Sequence, residues 1–305
     1  MGKLFTANEL KNLIPYQGNM LMVDKVYIEN ENRVIGQKCI TANDPVFLGH
    51  FPGRPILPGV LQIEAIFQTA EVLLRPILDP SFQGDFYLKS IQKVKFRRPN
   101  EPGDRMIVEL DVTAINGDSA DFTATLKNGG GVACTALGTV AVRSKVADTM
   151  PIQPFGEFDK GVRCEMENTA IQQFIPHRYP FLLVDYVSKL EGNHVTAVKN
   201  LSGQEGIFRN YNDSYMVLSS IIQAEILAQA GAIYMLSREE NRGKIALFMG
   251  IEKSEYFQPI FPGSQLRLEV DMPDSKSRAG KGHGAIYVND QLASETTMLF
   301  IIAAN

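Results

Sequence analysis

A histidine, a carboxylate and a helix start lie close together between residues 47 and 68. His50 sits in a loop rich in glycine and proline, and Glu64 sits in the apolar run that follows. Prolines fix φ and remove backbone donors, so the loop should hold His50 rigidly without regular secondary structure. A helix is predicted to begin at Pro58, which places the N–H of Gly59 at the positive end of the helix dipole. That N–H is a candidate donor to a developing oxyanion.

The predicted helix combines a carboxylate with apolar residues on nearly every face. Residues 60–74 are mostly Val, Leu, Ile, Ala and Phe, which indicates a helix that is buried on most sides. A buried carboxylate is costly unless another group pairs with it or a reaction uses it. Glu64 therefore needs either a partner or a function.

The chain contains an internal repeat. Asp24 is matched by Asp185 and Glu64 by Glu225 at an offset of 161 residues, and after the helix the offset becomes 160. Each copy predicts a short helix, a strand pair, the buried helix and then several strands. The strands that follow the two buried helices are expected at residues 105–114, 119–128, 132–143, 265–272, 285–288 and 292–302.

This organisation predicts an α+β fold of two tandem domains, each an antiparallel sheet wrapped around one long buried helix. The first domain is placed at residues 1–146 and the second at 166–305, with a linker over 147–165 that contains prolines and no periodic pattern. The glycine-rich residues 129–131 and 280–282 lack the Gly-Lys-Ser/Thr ending of a nucleotide-binding loop, and both are expected to be hairpin turns.

The composition argues against several classes of protein. The 30 Lys and Arg and 34 Asp and Glu residues give a net charge of -4, without the basic excess of a nucleic-acid binder. No window approaches the ~18 consecutive apolar residues of a membrane-spanning helix, and the first residues lack the apolar core of a signal peptide. A cytoplasmic protein is therefore expected. The 3 cysteines are widely spaced and indicate neither a disulfide framework nor a metal site.

The motifs of this chain resemble those of the FabZ-type β-hydroxyacyl-acyl carrier protein dehydratases, which have the hotdog fold. The resemblance rests on residues 49–55 (GHFPGRP), 58–65 (PGVLQIEA), 96–99 (FRRP) and 176–185 (PHRYPFLLVD). Each of the two copies carries the resemblance, and together they cover nearly the whole chain. Members of this family usually have one hotdog per chain and pair two chains, so the present chain looks like two tandem hotdog domains that form an intrachain pseudo-dimer.

The resemblance implies elimination of water from a β-hydroxyacyl thioester of acyl carrier protein in fatty-acid or related lipid synthesis, without a cofactor. His50 would be the base that takes the proton next to the thioester carbonyl. A buried glutamic acid, kept neutral part of the time because desolvation raises its pKa, would protonate the leaving hydroxyl. The N–H of Gly59 would bind the enolate-like oxygen. The family also implies assembly of three hotdog pairs, hence a trimer of this chain.

The two copies are not equivalent at these positions. His50 is matched by Tyr211 and the Pro-Gly pair of the loop by residues 213–214 (DS), whereas the glutamate is kept as Glu225. Family members take the histidine from one hotdog and the glutamate from its partner. We therefore expect one composite site per chain, formed by His50 and Glu225, and a second, inactive site in which Tyr211 faces Glu64.

A basic cluster of Lys93, Lys95, Arg97 and Arg98 is a candidate docking surface for the acidic carrier protein.

Three alternatives to a simple dehydratase remain open at this point. A hotdog thioesterase would use a carboxylate and water without the histidine loop, and a non-catalytic acyl-binding module would fit the decay of the second copy. Isomerisation of the product is the third, although a glutamate in place of aspartate resembles the branch that only dehydrates. Acyl chain length and the choice between carrier protein and coenzyme A are not readable from the sequence.

Overall fold

The computed structural model describes residues 2–16, 18–152, 155–211, 215–273 and 278–304. In the first half the helices and strands are, in chain order, β1 Lys3–Thr6, α1 Ala7–Leu13, β2 Lys25–Asn30, β3 Arg33–Cys39, α2 Gly59–Leu78, β4 Asp85–Phe96, β5 Arg105–Asn116, β6 Ser119–Asn128 and β7 Gly131–Arg143. A short 3-10 turn at Pro45–Leu48 leads into His50.

The second half repeats this order, with two additional short strands before its long helix. Its elements are β8 Met166–Glu167, α3 Asn168–Ile171, β9 Tyr186–Glu191, β10 His194–Asn200, β11 Phe208–Tyr211, β12 Tyr215–Leu218, α4 Ser220–Ser237, β13 Lys244–Tyr256, β14 Gln265–Asp271, β15 Ala279–Val288 and β16 Gln291–Ala304. Between β7 and β8 the described residues form neither helix nor strand.

One antiparallel sheet runs through both halves, in the order β1-β2-β3-β5-β6-β7-β4-β13-β16-β15-β14-β10-β9-β8. The strands of the second half follow those of the first in mirrored order, as expected for two copies of one unit facing each other. The central pair is β4 and β13, where Ile91 lies opposite Ser254. This pair joins the two halves of the molecule into one continuous sheet.

Each half places one long helix against its own part of the sheet. Helix α2 packs on β3 to β7, helix α4 packs on β10 and β13 to β16, and the two helices contact each other. Every residue from Val60 to Arg75 is buried. The predicted α+β architecture of two hotdog units is confirmed, with Pro58 capping α2 at its N-terminus where the sequence had suggested its first turn.

The glycine-rich residues 280–282 do not form the expected hairpin turn but lie within β15. A Cβ atom at Gly282 would collide with Met272, and one at Gly284 would press on Leu227 of α4. Glycine is therefore needed here for close packing inside the sheet and not for a tight turn. Residues 129–130 do form the turn between β6 and β7, as expected.

The second copy of the histidine loop has a different structure from the first. Strands β11 and β12 pair antiparallel, with Phe208 opposite Leu218, at the position where the first half has a 3-10 turn and a proline-rich loop. Asp213 and Ser214, which match the Pro-Gly pair of the first loop, lie outside the described residues. The second half thus holds a short hairpin in place of the rigid loop.

Gly250 provides a test of the contact between β4 and β13 that joins the two halves. It lies on β13 opposite Lys95, and a Cβ atom there would collide with the backbone carbonyl oxygen of Val94 on β4. Because backbone atoms cannot rotate away, Gly250→Ala should lower the free energy of unfolding by about 1–3 kcal/mol in urea denaturation. Gly129→Ala is the control, since its Cβ would point into open space, and it should change stability by less than ~0.5 kcal/mol. Equal effects of the two substitutions would contradict the close contact between β4 and β13 at Gly250.

Candidate active site

The loop before α2 fixes the orientation of the His50 ring. Nδ1 of His50 lies 2.7 Å from the carbonyl oxygen of Ile56. Since a carbonyl oxygen only accepts hydrogen bonds, Nδ1 carries the hydrogen and Nε2 keeps a lone pair. The backbone N–H of His50 donates to Val46, and the ring stacks on Phe51 with centroids 3.9 Å apart. The imidazole is therefore held in one tautomer, with Nε2 as its basic atom.

His50 is neutral at physiological pH. Burial, together with the charge of the nearby His177, lowers the pKa of His50 to about 4, although Glu225 acts in the opposite direction. The rings of His50 and His177 meet edge to face, with centroids 5.4 Å apart. A neutral imidazole with a free Nε2 is able to accept a proton.

Glu225 enters the same cavity from α4 of the other half. Its Oε1 accepts a hydrogen bond of 2.9 Å from Gln229, one helical turn along. Gln229 also donates to the carbonyl of Phe181 and accepts from the N–H of Leu183, so it fixes the carboxylate to the chain segment that carries His177. Nε2 of His177 lies 3.5 Å from the same Oε1.

The ionisation of Glu225 differs from the sequence-based expectation. Burial does act to raise its pKa, but His177, His50 and the hydrogen bond from Gln229 outweigh burial and lower the pKa below its usual value. Glu64, the matched residue of the first half, has the raised pKa that burial produces. Desolvation alone therefore does not set the protonation of the glutamate in the cavity.

His50, Gly59 and Glu225 all line one cavity of about 330 Å³. Gly59 is the first residue of α2, so its N–H has no partner within the helix. A Cβ atom at this position would collide with the ring of Phe96, which lines the same cavity. The three residues expected to form one site are thus brought together from both halves of the chain.

The cavity continues along one face of α4. Ala228, Ala232 and Met235 follow Glu225 at helical spacing and line its wall. From residue 225 to 235 this face is about 15 Å long, at 1.5 Å per residue. The far part of the wall is formed by apolar side chains, among them Met272 and Met298. The cavity is therefore an apolar groove with a polar, titratable end.

Large side chains cover the face of α2 that matches the cavity-lining face of α4. Phe67 and Glu71 stand where α4 has Ala228 and Ala232, and both are buried. The Phe67 ring stacks on Phe86, with centroids 5.7 Å apart. These larger side chains occupy the space that alanine leaves open along α4.

Glu64 has hydroxyl groups as neighbours instead of a histidine. The Ser219 hydroxyl donates to Oε2 of Glu64 at 2.6 Å, and Gln68 donates to Oε1 at 3.1 Å. The Tyr16 hydroxyl lies close enough to help lower the pKa of Glu64, although it makes no hydrogen bond of normal geometry within the described residues. Tyr16 matches His177 in the repeat. The phenol that neighbours Glu64 thus comes from the residue matching His177, whereas the proposed neighbour Tyr211 belongs to another contact network.

That network is built around Arg209, which is only 1% exposed. Its guanidinium lies 3.2 Å from Glu71 and 3.3 Å from Asp85, and it donates to the Tyr211 hydroxyl at 2.6 Å. The Tyr211 hydroxyl is also 3.2 Å from Asp85. Arg75 binds Glu71 at 3.0 Å and Arg143 binds Asp85 at 2.8 Å. These contacts form an ion-pair network that joins the second half to the first where a second site would lie.

The four basic residues that were expected to form one cluster lie in two different places. Arg97 and Arg98 line the cavity, together with Arg54, while Lys93 and Lys95 are exposed on β4 outside its lining. In the second half, the positions that match residues 95, 97 and 98 hold Glu255, Phe257 and Gln258. Of the four basic residues, only Lys93 keeps a basic match in the second half, at Lys253.

His177 and Arg209 are the site residues that sequence reasoning missed. Each could have been found by reading the repeat at offset 161, where His177 is matched by Tyr16 and Arg209 by the exposed Leu48. Within the described ranges, three or more His, Cys, Asp or Glu side chains do not converge in a way that could hold a metal ion. Nor does that part of the chain contain a helix both long and apolar enough to cross a membrane.

The Arg209 network predicts a specific pattern of stability. Arg209→Met leaves Glu71 and Asp85 buried with fewer partners, and it should lower the free energy of unfolding by about 3–5 kcal/mol. The double variant Arg209→Met/Glu71→Met removes one of the stranded charges, while Asp85 keeps Arg143. It should therefore be more stable than Arg209→Met alone in urea denaturation. Additive losses in the double variant would show that the charges are not paired.

Comparison with known proteins identifies the family of the chain. The model of the FabA-like domain matches the chain twice, at residues 14–136 and 175–297. The 3-hydroxyacyl-[acyl-carrier-protein] dehydratase FabZ of Anoxybacillus flavithermus is 45% identical over 133 residues, which cover 43% of this chain and 94% of that protein. The enzyme of the same name from Geobacillus thermodenitrificans is 42% identical over 133 residues, 43% of this chain and 92% of that protein.

A solved structure extends the likeness to both halves together. The dehydratase domain from the CurJ module of curacin polyketide synthase superposes with a TM-score of 0.62, covering 96% of this chain and 97% of that one. At 14% identity this likeness concerns the fold alone. Since the FabA-like match spans both halves and FabZ relatives exceed 40% identity, the chain belongs to the FabA-like family and carries its domain twice in one polypeptide.

Proposed function

We propose that this chain removes water from a 3-hydroxyacyl thioester of acyl carrier protein to give the trans-2-enoyl thioester, at one composite site per chain. One observation carries the proposal: His50 of the first half and Glu225 of the second line a single cavity, with the N–H of Gly59 at its wall. The FabZ relatives, named for this reaction, support it. The product would serve fatty-acid or related lipid synthesis.

His50 acts as the base. Nε2 carries the lone pair because Nδ1 is bonded to the Ile56 carbonyl, and the lowered pKa keeps the ring unprotonated at neutral pH. The ring takes a proton from the carbon next to the thioester carbonyl. The negative charge that develops on the thioester oxygen is met by the N–H of Gly59 at the start of α2. Donors in this role typically contribute about 3 kcal/mol to catalysis.

Glu225 acts as the acid that protonates the leaving hydroxyl. His177 and Gln229 both contact Oε1, so Oε2 is the oxygen that remains to face the substrate. The acyl chain then extends along the apolar face of α4, over Ala228 and Ala232 towards Met235. Phe67 and Glu71 block the matched path along α2, which supports a single acyl-binding site.

The carrier protein approaches the end of the cavity lined by Arg54, Arg97 and Arg98, with Lys93 and Lys95 on the neighbouring surface. Carrier proteins are acidic, so a basic rim favours their encounter. The second half lacks the charges that match Arg97 and Arg98, as it lacks the histidine, which supports docking at one rim only. The trimer of chains implied by the family remains a prediction that is open to sedimentation velocity, and the cytoplasmic location expected from the sequence also remains a prediction.

The two glutamates distinguish the composite site from a site within one half. Glu225→Gln removes the acid and should lower kcat for dehydration by about 10²–10⁴-fold. Glu64→Gln is the matched control, since Glu64 is also buried and also accepts a hydrogen bond from a glutamine one turn along its own helix. It should leave kcat within about twofold. The measurement is the absorbance of the enoyl thioester formed from a 3-hydroxyacyl carrier protein.

The reverse pattern, in which loss of Glu64 abolishes activity and loss of Glu225 does not, would overturn the pairing across halves. Release of a free thiol from the same substrate would indicate a thioesterase instead. His50→Ala should abolish dehydration in either arrangement of the glutamates, and it serves as the positive control for loss of the base.

The arginines at the end of the cavity predict an effect on KM that depends on whether the substrate is bound to the carrier protein. Arg97→Phe/Arg98→Gln gives the first half the residues of the second, and it should raise KM for the carrier-bound substrate about tenfold at low salt. The loss should shrink as salt screens the charges. KM for a short pantetheine thioester should not change. Lys253→Gln, exposed at the position that matches Lys93, is the control. An equal rise in KM for both substrates would place these arginines in acyl binding and not in docking.

A further inference from the structure

We infer that Met272 ends the apolar groove and limits the length of the acyl chain that the site accepts. This inference rests on the proposed dehydration and narrows its substrates to acyl groups of medium length. Met272 directly follows β14, is buried and lines the apolar part of the cavity. Its backbone N–H donates to the carbonyl oxygen of Asn193 at 2.9 Å, which holds the backbone in place beside the groove.

Two glycines make room for the Met272 side chain between α4 and the sheet. A Cβ atom at Gly282 of β15 would lie 2.5 Å from Sδ of Met272, and one at Gly231 of α4 would lie 2.9 Å from the same sulfur. Both distances are too short for a real contact, so neither position accepts a side chain while Met272 stays where it is. Glycine weakens the interior of a helix or a strand, and close packing on the thioether is the gain that offsets this cost.

The first half has no equivalent arrangement at the matched positions. The matched pairs are Ala70 and Gly231, Val112 and Met272, and Phe122 and Gly282. The second half alone therefore combines two glycines with a long, unbranched side chain at these positions. Val112 does not line the cavity, whereas Met272 does. The packed methionine thus belongs to the half whose long helix borders the open groove.

The position of Met272 along α4 gives the usable length of the groove. Gly231 is six residues after Glu225, which corresponds to about 9 Å along the helix axis. Side chains on a helix lean towards its N-terminus, so Met235 covers the same turn of α4 and shortens the groove further. An extended acyl chain advances about 1.25 Å per carbon, given C–C bonds of about 1.5 Å. About seven carbons therefore fit beyond the carbon that carries the hydroxyl, which gives acyl groups of about ten carbons in total.

Two substitutions should move this length limit in opposite directions. Met272→Ala removes the side chain that ends the groove. The ratio of kcat/KM for the 3-hydroxytetradecanoyl carrier protein to that for the 3-hydroxydecanoyl form should then rise about tenfold or more. Gly231→Ala adds a methyl group that displaces the flexible end of Met272 into the groove. The ratio for the 3-hydroxydecanoyl form to the 3-hydroxyhexanoyl form should then fall about tenfold.

Matched variants separate this role from a general effect on packing. In Gly231→Ala/Met272→Ala the added methyl group has no thioether to displace, so the loss caused by Gly231→Ala should disappear. Val112→Ala, the matched change in the first half, should leave both ratios within about twofold. Alanine is favoured in helices, so Gly231→Ala should fold even if Met272→Ala does not. Unchanged ratios in Gly231→Ala would overturn the inference, as would equal wild-type activity on the decanoyl and tetradecanoyl substrates.

Binding of S-alkyl pantetheines of increasing length measures the groove without the reaction. In calorimetry the wild type should gain affinity with each added carbon up to the length limit and then lose it, and Gly231→Ala should reach its limit at a shorter chain. A wild type that shows this limit but dehydrates none of the substrates would refute the proposed function alone. A wild type that dehydrates them, with a limit that Gly231→Ala does not move, would refute the role of Met272 alone.

Discussion

The structure depends on burying a carboxylate at matched positions of two packed helices, Glu64 in α2 and Glu225 in α4. A glutamine one turn along each helix satisfies that carboxylate and, with its other atoms, binds the backbone of an incoming chain segment at residues 20–22 or 181–183. A buried charge is tolerated only when such partners are present. The same pair of residues thus fixes the glutamate, the helix and the segment that delivers Tyr16 in one half and His177 in the other.

Placing both hotdog units on one chain allows the two sites to diverge. In a symmetric dimer of identical chains every substitution enters both sites, whereas here each half has kept the parts that the other has lost. The first half keeps the histidine loop, the open N–H of Gly59 and the basic rim. The second half keeps His177, Glu225 and the small residues along α4. The space released at the other position has been filled by Phe67, Arg209 and their partners.

Much of this arrangement is readable from the sequence because it depends on local rules and on the repeat. The strand at 119–128 was predicted to the residue, and comparison of the two copies led to His50 and Glu225, which the structure places in one cavity. The exceptions depend on long-range contacts. The sequence of residues 280–282 is typical of a turn, but the segment lies in a strand where Gly282 packs closely on Met272. The lowered pKa of Glu225 depends on a histidine 48 positions earlier in the chain. Spacing along the chain does not reveal such neighbours.

The two sites also respond to acid in opposite ways. His50 has a folded pKa near 4, below its unfolded value of 6.5, so its contribution to stability is present above pH 6.5 and is lost as the pH falls towards 4. The lowered pKa of Glu225 acts in the same direction at lower pH. Glu64 has a raised pKa, so its folded state binds a proton more readily than its unfolded state and gains stability as the pH falls. The proposed site therefore carries the sensitivity to acid, while Glu64 in the other half opposes it. A chain with two working sites would have to bear that sensitivity twice.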